Sequence, residues 1–233
     1  MSGRGTSGKH SPNTFNRLTA ASGSGSYTKF KVLFQRECGN VIRISAIIYT
    51  KANQPKILKG RSIITTSIIL RMITMKDCNS VLSWSKNDIF CSANGWVKNR
   101  SSEEIYNWWA RYVNTPPDDF IRMGIEANAN KGLIGYVDLA CIKDKTAELG
   151  IAIGETTLWG KGIGYQAAIC MMSYGSINLG ITTYYAETHE SNTRSRRMLE
   201  KIGYKEISRN GMEEYLGKND QLIQYEYNVK EKI

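Results

Sequence analysis

Histidine is almost missing from this chain: of 233 residues only His10 and His189 carry an imidazole. Two such side chains supply neither a histidine-based metal centre nor the members of a Ser-His-Asp set, so no metal and no triad chemistry is expected. The five cysteines, Cys38, Cys78, Cys91, Cys141 and Cys170, are odd in number, widely spread and without a Cys-x-x-Cys pair. That pattern supports neither a disulfide framework nor a zinc site, and it fits a reducing, cytoplasmic setting. No run of about 18 apolar residues occurs, so no membrane span is predicted. Internal repeats are also absent.

The formal net charge of +10 is unevenly placed. Residues 1–66 hold 11 of the 31 Lys/Arg and a single acid, Glu37, which leaves residues 67–233 with 20 charges of each sign. The basicity belongs to the N-terminal segment, and residues 67–233 carry no electrostatic footprint for nucleic acid. Residues 1–30 are rich in Gly, Ser, Thr and basic residues, too poor in apolar surface to offset their ordering entropy, and read as disordered. Residues 31–66 contain the apolar runs 31–34 and 41–49, which predict a strand or a helix without fixing its place. Three accounts of residues 1–66 stay open: an acid-poor targeting segment, a basic tail, or translated sequence upstream of the true start. The abrupt onset of regular patterning at Ser67 favours the last.

From Ser67 onward, residues 67–73 read as a strand and 76–86 as a short helix. Ser101 and Glu104 form a capping box that opens a helix, which Pro116-Pro117 ends. Residues 119–127, 133–142 and 147–154 read as three strands joined by turn-length connections, an antiparallel meander. Ile163, Ala167, Cys170, Met171 and Tyr174 fall at helical spacing on one apolar face. Residues 181–188 are a further strand, 193–202 a helix with Ser195, Met198, Leu199 and Ile202 on one side, and 204–208 and 222–229 the closing strands. The expected fold is α/β (α+β): a mixed, mostly antiparallel twisted sheet flanked by helices, filling residues 67–233.

The stretch 147–168 carries the chemistry. A strand runs into Gly160-Lys161-Gly162-Ile163-Gly164, and that turn opens a helix. Glycines let the backbone approach a phosphate, and the helix start offers unpaired N–H groups with the positive end of the dipole. A tight turn is the plain alternative. A Walker A loop is excluded because Gly162 stands where Ser or Thr is needed, and a Rossmann fingerprint fits poorly because its last glycine would be Ala167 and the preceding strands look antiparallel. Downstream, Asn192 and Ser195 stand at a helix start, followed by Glu200-Lys201-x-Gly203-Tyr204.

These two blocks, in this order and separation, resemble the GNAT superfamily of N-acetyltransferases, in particular its Rim-like branch, which acts on protein N-termini, amino sugars and antibiotics. The resemblance covers about residues 67–229. It implies a GNAT fold and acetyl-CoA as acetyl donor, without a metal. Its pyrophosphate loop falls on Trp159, Gly160, Lys161, Gly162, Ile163 and Gly164, with Trp159 in place of the usual Gln or Arg. Ile151 and Ile153 match the strand whose backbone pairs with pantetheine and polarises the thioester carbonyl. Asn192 matches the asparagine that contacts the pantetheine arm, and it can equally cap the helix.

Direct attack by an amine needs a base, for which Glu148 is the first choice and Glu187 the second; a solvated strand carboxylate is the plain reading of each. The tyrosine that many relatives use as acid is here Leu199, and Ser195 is the substitute the resemblance implies. Trp84, Trp96, Trp108 and Trp109 are mostly core, with one or two available to the acceptor pocket. The acceptor implied is a small-molecule amine or a protein N-terminus, with no membrane partner; oligomeric state is not set. Two other classes compete: a catalytically silent acyl-CoA-binding module, and a basic-tailed nucleic-acid-binding protein.

Overall fold

The computed structural model describes residues 28–37, 41–50, 68–127 and 132–229. Two strands come first, β1 (Thr28–Glu37) and β2 (Val41–Thr50), followed by β3 (Ile68–Met72) and a 3₁₀ turn (Met75–Asp77). Three helices follow: α1 (Cys78–Ser85), α2 (Asp88–Ala93) and α3 (Ser102–Asn114). Then come β4 (Ile121–Ala127), β5 (Leu133–Lys143), β6 (Thr146–Ile153), α4 (Ile163–Asn178) and β7 (Thr183–His189). The chain closes with α5 (Thr193–Ile202), β8 (Lys205–Ser208), β9 (Met212–Tyr215) and β10 (Lys218–Asn228).

The strands form one sheet in the order β1-β2-β3-β4-β5-β6-β7-β10-β8, with β9 paired to β10. All pairings are antiparallel except β6 with β7. The expected mixed, mostly antiparallel sheet flanked by helices is what the chain adopts. Local chemistry explains the borders. Ser101 Oγ accepts from Glu104 N at 3.1 Å while Glu104 Oε2 accepts from Ser101 N at 2.7 Å, which starts α3 as a reciprocal cap. Asp144 and Lys145 take φ of 50° and 65°, the left-handed pair that a tight β5–β6 hairpin needs.

One face of the sheet is covered by α4 and α5, where Val137, Leu139, Leu149, Ala167, Met171, Leu199 and Ile223 share a core. The other face, over β3 to β6, is covered by α1 to α3 around Trp84, Phe90, Ile105, Trp109 and Tyr136. Trp84 and Trp109 are therefore core, while Trp96 and Trp108 pack half-buried against them. Trp109 Nε1 donates to Thr74 O at 2.9 Å, so its ring can be buried without an orphaned donor. Arg122 on β4 makes a bidentate pair with Asp138 on β5, at 2.8 and 2.7 Å. Trp108, Tyr112 and Tyr136 close over that guanidinium at 5.0, 4.3 and 4.0 Å. A buried pair broken on one side costs about 3–5 kcal/mol, so this cluster locks α3 to the sheet.

Three elements differ from the sequence reading. Part of the segment read as an extension forms the β1–β2 hairpin, which joins the sheet where Ile44 and Ser45 oppose Leu70 and Ile69. The β-branched run 41–49 suits a pleated surface, and pairing with β3 gives it a place. Residues 1–27, 38–40 and 51–67 lie outside the described residues. Helix α2, capped by Asn87 Oδ1 accepting from Ile89 N and Phe90 N at 3.0 Å each, was not foreseen. Nor was β9, which turns into β10 through Leu216 and Gly217 at φ of 51° and 79°.

Candidate functional site

Strands β6 and β7 pair only at Thr146–Thr183, Ala147–Tyr184 and Glu148–Tyr185, yet they run on to Ile153 and His189. Beyond the last pair they splay. The register with β5 shows what the splay exposes: Gly135 opposes Ile153, and Gly154 N donates to Ile134 O at 2.9 Å. Gly135 and Ile153 are therefore a non-hydrogen-bonded pair, so Ile153, Ile151 and Leu149 turn their own N–H and C=O away from β5 and into the gap. The carbonyl of Ile153 is taken by the indole of Trp159, Nε1 to O 2.7 Å. The guanidinium of Arg194 lies 4.3 Å above the same indole ring. Trp159 thus ties the glycine loop both to the strand edge and to α5.

The loop opens toward the gap. Gly160 and Gly162 have φ of 77° and 78°, and a Cβ on either would meet nothing within 4 Å. Conformation demands glycine there, and the space beside the backbone is empty. Gly162 is the N-cap of α4 and brings no side chain to the first N–H groups of that 16-residue helix. Gly164 serves packing instead, because a Cβ there would stand 3.1 Å from Met198 Sδ and its absence lets α5 lie close to α4.

A cleft of about 620 Å³ fills the gap. Among its walls are Ile151, Ile153, Trp159, Gly160, Gly162, Ile163, Gly164, Asn192, Ser195 and Glu187. Lys161 and Glu148 are not among them. Asn192 Oδ1 accepts from Ser195 N at 3.2 Å, so Asn192 caps α5, while its Nδ2 donors stay outside that bond. Glu148 occupies the last paired position at the closed end of the splay, and its side chain is exposed. Loss of hydration around that carboxylate, and then the charge of Glu187, push its pKa up. Glu187 stands two residues beyond the last pair and accepts from Gln224 Nε2.

The cleft is polar in an ordered way. On the loop side α5 contributes Arg194, Arg197 and Lys201. On the far side stand Glu187, His189, Glu213 and Tyr215, with Ala93, Asn94 and Gly95 at the C-terminal end of α2. The His189 ring stacks on Tyr215, centroids 4.7 Å apart and planes at 23°. Its Nε2 is closed to solvent, lacks a hydrogen-bond partner, and lies 4.0 Å from Glu213 Oε2. Open glycine backbone, a helix start and three cations suit a pyrophosphate, and main-chain groups along β6 suit an extended amide-bearing arm. Among the described residues no group of three His, Cys, Asp or Glu could hold a metal ion. No described helix is long and apolar enough to cross a membrane.

Sequence reasoning missed His189 as a cleft residue, as it did Glu213, Tyr215 and the α5 cations. Arg194, Arg197 and Lys201 recur at i, i+3 and i+7, a spacing that places them on one helical side and was legible. Glu213 and Tyr215 depend on β9, for which the sequence offers no comparable signal.

The family model described as "Acetyltransferase (GNAT) domain" matches residues 67–205. An uncharacterized protein of Methanocaldococcus jannaschii is 29% identical over 152 residues, 65% of this chain and 31% of that protein. The human alpha/beta-tubulin-N-acetyltransferase 9 is 33% identical over 79 residues, 33% of this chain and 38% of that protein. The matched parts of the chain thus span about a third of these relatives' own lengths. Among solved structures, a spermidine N-acetyltransferase from Vibrio cholerae in complex with CoA and spermine superposes with a TM-score of 0.62 at 20% identity. That match covers 70% of this chain and 96% of the other, and at such identity it shows a shared fold alone.

Proposed function

We propose, from the premise that the chain belongs to the GNAT acetyltransferase family, that it moves an acetyl group from acetyl-CoA to a primary amine by direct attack in a ternary complex. The observation that carries this reading is the splay between β6 and β7, with main-chain groups of Ile151 and Ile153 pointing into a gap that leads to the open glycine loop. The N–H groups of Gly162, Ile163 and Gly164, with Gly160, Lys161 and Trp159 shaping the turn, hold the pyrophosphate; Arg194, Arg197 and Lys201 add charge from α5. Ile151 N–H polarises the thioester carbonyl, and the Asn192 amide holds the pantetheine arm. Bound acetyl-CoA supplies an acetyl group activated as a thioester.

Glu187 and Glu148 together take a proton from the incoming amine. Glu187 lines the cleft, and Glu148, beside it at the closed end, carries a pKa raised by partial loss of hydration and by that neighbour. Ser195 lines the cleft from α5. The acceptor is a small-molecule amine or a protein N-terminus, the substrates of the Rim-like branch; carboxylates on the far wall suit a cationic amine. The human relative's name concerns tubulin and the Vibrio structure's concerns spermidine, and both are amine-bearing acceptors of this general kind.

The apolar Leu199, where many relatives have an acid, favours one rival: a silent acyl-CoA-binding module. The full chain with acetyl-CoA and a panel of primary amines, followed by thiol release, separates the two. Amine-dependent release is the expected result. Tight acetyl-CoA binding with no release for any amine would leave the binding module as the better account, and no binding would remove both.

A further inference from the structure

Transfer from a thioester expels a thiolate, and the cleft must offer it a proton. Leu199 is apolar and 2% exposed, so it cannot. We propose that His189 is the acid of this reaction, a role that rests on the acetyl-transfer reading above.

Position is the first support. Successive strand side chains alternate, so Glu187 and His189 share one face of β7 while Thr188 is buried on the other. Extending the Glu148–Tyr185 pairing by four residues puts His189 level with Ala152, between Ile151 and Ile153. With the thioester carbonyl at Ile151 N–H and the pyrophosphate at the glycine loop, the sulfur lies one step from Ile151 toward Ile153. That is the level of His189. The amine then enters beside Glu187, two residues nearer the closed end.

Chemistry is the second. Among the cleft's proton-bearing side chains, an imidazole is the one whose ordinary titration lies near neutral pH, whereas a serine hydroxyl such as Ser195 is a far weaker acid. His189 Nε2 is closed to solvent beside Glu213, whereas Nδ1 is not among the buried unpartnered atoms, so Nδ1 is the ring nitrogen that a ligand in the cleft can reach. The stack on Tyr215 fixes the ring plane. The groups facing the imidazole are Tyr215 and Glu213 from β9, Asp220 from β10, which also interacts with it electrostatically, and Glu187 along its own strand; Arg194 shares the cleft.

The step balances. As the amine nitrogen bonds to the carbonyl carbon and the C–S bond breaks, a carboxylate takes the amine proton and the imidazolium gives its own to sulfur. Amide and thiol leave, and solvent returns the proton from the carboxylic acid to the ring.

The test uses the full chain. It has two histidines, so His189→Gln assigns their NMR resonances by elimination. Calorimetry establishes that acetyl-CoA binds, and the ring resonances are then followed with acetyl-CoA and with CoA. A shift of the His189 resonance with both ligands is expected. With the acceptor found by the amine screen, His189→Gln should lower kcat by about 10²–10⁴-fold, leave acetyl-CoA affinity unchanged, and abolish the alkaline loss of kcat expected of the wild type. Glu187→Gln should keep that alkaline loss. A bound cofactor that leaves the His189 resonance unmoved, or a His189→Gln enzyme with wild-type rate and alkaline limb, would overturn the proposal. Failure of acetyl-CoA to bind would overturn the acetyl-transfer reading instead.

Discussion

The two sides of the cleft are built from different materials. The loop side is main chain: the edge of β6, two glycines at positive φ and the start of α4, with the α5 cations close by. The far side is made of side chains from separate segments, Glu187 and His189 on β7, Glu213 and Tyr215 on β9, and the turn after α2. A backbone cradle recognises what every acetyl donor has in common, whereas side chains on a hairpin can be exchanged without disturbing the sheet. On the proposed acetyl-transfer reading, the first side serves the donor that the family shares and the second meets the acceptor.

The largest expected effect falls on the side-chain half. Glu187→Gln should lower turnover by about 10²–10⁴-fold with acetyl-CoA affinity intact, measured by thiol release and calorimetry. Glu148→Gln, at the paired end, should cost less. The raised Glu148 carboxyl also has a stability signature. A folded-state pKa above the unfolded value disfavours the folded state once the group ionises, so Glu148→Gln should raise Tm at neutral pH, and the gain should vanish as pH falls below the carboxyl's titration. Equal losses of turnover from both variants would dissolve the contrast between cleft wall and paired end.

The backbone half answers to a different variant. Gly162→Asp sets a Cβ at φ 78° and a negative charge at the N-cap of α4, so acetyl-CoA affinity should fall. A loss of about 10–100-fold is expected, each tenfold being about 1.4 kcal/mol. Calorimetry on a variant with unchanged circular dichroism checks it.

Smallest of all should be the effect of the distant sheet edge. A chain beginning at Ser62 loses β1 and β2, whose junction with β3 rests on two paired positions at the edge remote from β7. It should bind acetyl-CoA with full affinity and melt at a lower temperature. Lost affinity would mean that the hairpin shapes the cleft as well as the edge.

The uneven legibility of the sequence follows from the same contrast. Gly160 and Gly162 announce themselves because few residues tolerate that backbone, and the Ser101–Glu104 cap and the strands β3 to β7 follow from local rules of propensity and spacing. The cleft side of Ile151 and Ile153 was legible through resemblance, and the β5–β6 register supplies the physical reason. His189 was weighed only as a metal ligand or a triad member, because nothing local says that the end of β7 borders a gap; that needs the parallel pairing to stop at Tyr185. The hairpin β1–β2 was unreadable in place, since its partner is the edge of β3 and the 17 residues from 51 to 67 between them are too long a connection to fix a pairing from sequence.

The central claim is that main-chain groups of β6 and the glycine loop hold the acetyl donor. Backbone amide resonances of the full chain, followed as acetyl-CoA is added, test it most directly. The largest shifts are expected at Ile151, Ile153, Gly160, Gly162, Ile163 and Gly164, lost together in Gly162→Asp at the same ligand concentration. Saturable acetyl-CoA binding that leaves those six amides where they were would contradict it.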